Sequence, residues 1–170
     1  MQNRWLWVFN RNIWTLRNAK NAGVYVQYDG EAKGMSETLS VNDLEDALSG
    51  GTTEKGVRFS KDRKTAFAAY NTMQGGSQDS VTLAGNGFVI ASYDIEGAEN
   101  LARVSKAFKL RPYVYLADNT GEKQVQGLSA LIRLRYDDVR LFVYGDTFGS
   151  NREGYAFGVD APQKNLGDKQ

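Results

Sequence analysis

The stretch Leu128-Ser129-Ala130-Leu131-Ile132-Arg133-Leu134-Arg135-Tyr136, then Asp137-Asp138, then Val139-Arg140-Leu141-Phe142-Val143-Tyr144, alternates between side-chain classes with a period of two. A strand sends successive side chains to opposite faces, so this pattern predicts two half-buried strands. The short polar link makes them antiparallel neighbours, because a parallel return needs a crossover of a dozen or more residues. Working outward, Leu110 to Ala117 and Tyr155 to Asp160 read as further strands, joined through Asp118-Asn119-Thr120-Gly121 and Phe148-Gly149-Ser150-Asn151. The expectation is a C-terminal antiparallel meander. Alternation assigns Leu110, Pro112, Val114, Leu116, Ala130, Ile132, Leu134, Val139, Leu141 and Val143 to the core face. Arg111, Tyr113, Tyr115, Arg133, Arg135, Arg140, Phe142 and Tyr144 then fall on the opposite face and form the candidate interaction surface.

Upstream, residues 4–9 and 23–29 are aromatic and β-branched and stop at turn-forming residues, so both read as strands. In residues 40–49, Val41, Leu44, Ala47 and Leu48 share one helical face, Ser40 is positioned to cap it, and Gly50-Gly51 ends it. Residues 56–60 read as a brief strand. A second helix is predicted over 62–73, capped by Ser60 or Asp62, from the spacing of Phe67, Tyr70 and Met73. Residues 74–80 have the composition of a loop and mark the best internal boundary. Val81 to Ala84 and Phe88 to Ile95 read as a hairpin turned at Gly85-Asn86-Gly87. A third helix, 96–108, carries Leu101, Val104 and Phe108 on one stripe, with Glu96 and Glu99 near its positive end and Arg103 and Lys106 near its negative end. The expected fold class is α+β, predominantly an antiparallel β-sheet with about three short helices. Residues 1–161 are expected to form a single domain and 162–170 a polar tail.

Composition excludes more than it assigns. The chain holds no histidine and no cysteine. Imidazole-dependent hydrolysis, thiol redox chemistry, zinc fingers, haem sites and facial-triad iron sites all need one or both. With 21 Lys and Arg against 20 Asp and Glu, no overall field draws the chain to nucleic acid or to an acidic membrane surface. The N-terminal apolar patch at 5–9 is followed at once by Asn10-Arg11-Asn12 and is not expected to be a signal peptide. No apolar run approaches the roughly 18 residues of a membrane-spanning helix. The absence of cysteine leaves the compartment open.

Three short motifs bear on enzymatic chemistry. Gln27-Tyr28-Asp29-Gly30-Glu31 resembles the Lys-x-Asp-Gly motif of covalent nucleotidyltransferases, but Gln27 stands where the nucleophilic lysine belongs. An amide cannot form the phosphoramide intermediate. Glu31-Ala32-Lys33, with Asp29, resembles the Glu-x-Lys of restriction-type nucleases but sits in a loop. Residues 56–70, Gly-Val-Arg-Phe-Ser-Lys-Asp-Arg-Lys-Thr-Ala-Phe-Ala-Ala-Tyr, resemble the strand, serine and alanine-rich helix of ADP-ribosyltransferases. That resemblance implies that Ser60 helps hold a nicotinamide dinucleotide, with Arg4 or Arg11 and Glu122 as partners. Asp94, Glu96, Asp118, Asp137, Asp138 and Asp146 read as carboxylates at strand ends without calcium-loop spacing.

Guanidinium groups among aromatic rings suit a protein interface, where Tyr, Phe and Arg are enriched, and also suit a single-stranded nucleic-acid platform. A solvated face, or one covered by the second helix, accounts for the same pattern through cross-strand pairing. The expectation is a non-catalytic binding or assembly protein acting on another protein chain or on itself, as a subunit of a larger particle or an inhibitor-like partner. Trp5, Trp7 and Trp14 are additional candidate anchors, with core placement of the indoles as the equal alternative. An ADP-ribosyltransferase-like enzyme and a single-stranded nucleic-acid-binding sheet are the alternatives. No cofactor or metal is expected.

Overall fold

The computed structural model describes residues 4–28, 40–117, 125–136, 138–145 and 155–156, with side chains described for 10–28, 40–117 and Val143. Its strands are β1 (Arg4–Trp14), β2 (Gly23–Tyr28), β3 (Thr52–Glu54), β4 (Val57–Phe59), β5 (Thr65–Ala69), β6 (Gly76–Ser77), β7 (Tyr113–Leu116), β8 (Val125–Tyr136), β9 (Asp138–Gly145) and β10 (Tyr155–Ala156). Its helices are α1 (Val41–Leu48), α2 (Ser80–Gly85) and α3 (Gly87–Ala107). Among the described residues one sheet runs in the order β3-β4-β5-β2-β1-β8-β9-β7-β6, and β10 pairs with β1. Most pairings are antiparallel, so the chain is α+β with a mainly antiparallel sheet.

The two faces of the central strands are clad differently, which is why these strands read poorly as amphipathic elements. On one face Ile13, Tyr25 and Phe67 pack with Leu44 and Leu48 of α1. On the other, Trp14, Val24, Val26, Ala66 and Ala68 pack with Leu83 of α2 and with Phe88, Val89 and Ile90 of α3. Helix α1 matches its sequence pattern, and Ser40 Oγ accepts from the Asp43 N–H as its N-cap.

Five expectations are corrected. Residues 62–73 are not a helix: 65–69 form β5, with a single 3-10 turn at 70–72. Ser60 and Asp62 build the hairpin turn instead of a cap. Thr65 N–H donates to Ser60 Oγ at 3.0 Å, and Asp62 accepts from Ser60 Oγ and Lys64 N–H. Because Thr65, Ala66, Phe67 and Ala68 are all buried between helices on both sides, β5 shows no alternation.

The predicted hairpin over 81–95 is likewise helical. Asp79 caps α2 and Asn86 caps α3, accepting from Phe88 N–H at 3.1 Å. The Asn-Gly pair that favours a tight turn also suits a helix start. Strand β1 runs past Phe9 to Trp14, across an irregularity between Trp7 and Arg11. Its polar residues stay in the sheet because they are bonded: Asn10 donates to Ser92 O, and Asn12 accepts from Trp14 Nε1. Residues 74–80 belong partly to the sheet, through β6 and the buried Gln78. The meander is also broken, because β7 pairs in parallel with β9 while β8 lies between β1 and β9.

Helix α3 bends at Asp94, whose φ of 63° is left-handed. The bend diverts the Ile95 N–H to the Asp94 carboxylate. Ala91 O and Ser92 O, which a straight helix would bond to Ile95 and Glu96, are instead taken by Tyr28 OH and Asn10 Nδ2. Arg63 fixes the bend from outside, reaching Asp94 at 2.6 Å and Glu54 at 2.8 Å while stacking over Phe59.

Candidate interaction face

Strand β7 orients the two tyrosines as alternation dictates. Val114 is buried in the core beneath α3, together with Val143 of β9. Tyr113 and Tyr115 point the other way, 37% and 38% exposed, with ring centroids 4.5 Å apart. This is the face that α1 covers further along, at Ile13, Tyr25 and Phe67. At the β7 end the tyrosines keep more than a third of their surface accessible.

Backbone register extends the face. Tyr113 pairs with Phe142 and Tyr115 with Tyr144, and cross-strand partners share a face. In β8, however, Ala130 pairs with Tyr144, Ile132 with Phe142 and Leu134 with Arg140, whereas Arg133 pairs with Leu141 and Arg135 with Val139. The eight predicted residues therefore do not share one face. Tyr113, Tyr115, Arg140, Phe142 and Tyr144 stay together and are joined in register by Ala130, Ile132 and Leu134. Arg133 and Arg135 are level with the core-side residues Val139, Leu141 and Val143. The cause is a one-residue register: Tyr136 pairs directly with Asp138, leaving Asp137 between them. A two-residue link would have kept the predicted faces, and a slip of one exchanges them. Arg111 precedes β7 and is exposed.

The motif residues serve the fold. Gln27 Oε1 accepts from Arg11 Nη2 at 2.5 Å, and the Ser60 hydroxyl is engaged in the β4–β5 turn. The alanine-rich segment beside it is strand β5, which removes the helix of the ADP-ribosyltransferase resemblance. Asp29, Gly30, Glu31, Ala32, Lys33, Asp118, Glu122, Asp137 and Asp146 lie outside the described residues. Asp94 and Glu96 belong to α3, not to strand ends. Among the described residues no three potential metal ligands form a cluster, and no helix is long and apolar enough to cross a membrane.

A polar cluster that sequence reasoning missed ties α1 to the sheet. Tyr25 OH donates to Glu45, whose other oxygen accepts from Arg58 Nη2 at 2.7 Å, and Arg58 also lies over the Phe67 ring. Burial, then the Glu45 carboxylate, hold the Tyr25 hydroxyl well above its ordinary range. For Glu45, burial raises the pKa, but donation from Tyr25 and Arg58 outweighs it, so the carboxyl sits below its usual value. Such a group stabilises the fold above the unfolded carboxylate range, and that contribution fades as pH falls through the lower, folded value. Glu45→Gln is expected to cost about 1–2 kcal/mol at pH 7. The gap from wild type should narrow between pH 7 and a pH below the ordinary glutamate range. Urea unfolding of both proteins at the two pH values checks this, and a gap independent of pH would refute the charge assignment.

Compared with protein-family models, with curated proteins and with solved structures, the chain matches none.

Proposed function

We propose that the chain is a non-catalytic binding or assembly protein that contacts another protein chain through the β7–β9–β8 face around Tyr113 and Tyr115. The observation that carries this reading is the pair of adjoining, accessible tyrosines, their rings tilted 41° to one another, beside core residues on a sheet. Tyrosine supplies large, rigid contact area with a polar tip and is enriched at binding hot spots. Register supports protein over nucleic acid as the partner. With Arg133 and Arg135 level with the opposite face, the residues sharing the tyrosines' face are mostly apolar or aromatic, and phosphate-binding cations are fewer.

The test is affinity capture with the wild-type chain and with a Tyr113→Ala/Tyr115→Ala variant, then titration of the captured protein against both. Hot-spot truncation is expected to weaken association by about 2 kcal/mol or more, with a smaller effect on the thermal midpoint because each side chain keeps over a third of its surface accessible. If the double variant keeps wild-type stability and wild-type affinity, the face is merely wet. An oligonucleotide that binds tightly at low salt and is lost steeply as salt rises would transfer the face to nucleic acid.

A further inference from the structure

A groove of about 670 Å³ runs between α2 and the second segment of α3, away from the tyrosine face. Val81 and Ala84 line its α2 wall, and Val81 is 82% exposed, leaving apolar surface that a partner could bury. The α3 wall carries Glu96, Glu99, Arg103 and Lys106. These fall at i, i+3, i+7 and i+10, so they form one stripe on one side of a helix.

Their order is palindromic in charge. Glu96 and Lys106 lie five residues either side of Leu101, and Glu99 and Arg103 two residues either side. Two copies of this helix laid antiparallel, with a two-fold axis level with Leu101, would set Glu96 opposite Lys106 and Glu99 opposite Arg103, each pair occurring twice. Closed two-fold pairs are the commonest symmetric assemblies, and they require such a self-complementary patch. Charges flanking a helix seam set partner and orientation in this manner. Within one copy Glu99 meets Lys55 at 2.6 Å and Arg103 donates to Asn100. The Glu99–Lys55 pair is about half exposed, so it holds Glu99 only weakly.

We infer that the α2–α3 groove is a self-association surface, in which the α3 segment of a second copy lies antiparallel along α3 and covers Val81. A single helix pair is a small interface, so the dimer is expected to be weak, with a dissociation constant of micromolar order or above. It is independent of the tyrosine face and should survive Tyr115→Ala.

Sedimentation of the full chain over a concentration series up to roughly 1 mM tests it. Wild type should dimerise, and less so as salt rises from about 50 to 500 mM. The acid-reversed variant Glu96→Lys/Glu99→Lys and the base-reversed variant Arg103→Glu/Lys106→Glu should each lose dimerisation by about tenfold or more. An equimolar mixture of the two should associate, because all four cross-pairs are then complementary. The fourfold swap, carrying all these changes, should again self-associate. That variant keeps the net charge and guards against misfolding of the one-sign variants. A wild type monomeric throughout, or a dimer indifferent to both the reversals and the salt, overturns the inference.

Discussion

Trp14→Ala is expected to remove about 3–5 kcal/mol of stability, the range for truncating a large buried aromatic. Trp14 has no accessible surface and ends β1 where it meets β2 and β8. Its ring centroid lies 5.2 Å from that of Phe88 on α3 and 6.2 Å from that of Tyr70, and its Nε1 donates to Asn12. Truncation therefore empties a site shared by sheet and helix and removes one donor to the Asn12 carbonyl. A domain of this size has roughly 5–15 kcal/mol in total, so the variant should approach its unfolding midpoint in little denaturant. Equilibrium urea unfolding measures this, and a loss below about 1 kcal/mol would place Trp14 outside the principal core.

Gly23→Ala should be at least as damaging, for a different reason. Gly23 opens β2 and pairs with Ala69 of β5. A Cβ added there would sit 2.1 Å from Ala68 O and 2.9 Å from Ala69 Cα, both backbone atoms that no rotamer change can move. Gly23 is also clamped from behind by Thr15, whose hydroxyl accepts from its N–H at 2.8 Å. Relief requires β2 and β5 to part, so the expected cost is about 3 kcal/mol or more, with insoluble expression as the extreme outcome. Gly85→Ala is the control. Nothing lies within 4 Å of its Cβ position, and it ends a helix. That change should be neutral or stabilising by up to about 1 kcal/mol. Equal losses at the two glycines would refute the steric account.

What the chain reveals about itself follows from how many of its faces touch water. Helix α1 has one apolar stripe and a Ser40 cap, β7 alternates Tyr-Val-Tyr-Leu, and the second half of α3 carries graded charge; all three were legible because each has a solvent side. The strand at 23–29 was legible from its β-branched and aromatic content and those at 128–136 and 139–144 from their alternation, and the absence of histidine and cysteine restricted the chemistry from composition alone. Tertiary structure decided the elements buried on both sides. Strand β5 lies between α1 and α3, and Phe88 to Ser92 of α3 are buried throughout, so neither a period of two nor of 3.6 survives in their sequence. It also decided the parallel pairing of β7 with β9 and the one-residue link at Asp137, which no local pattern encodes. That single residue separates Arg133 and Arg135 from the tyrosine face, because register in a pleated sheet is set by the pairing of whole strands and a slip of one inverts every position.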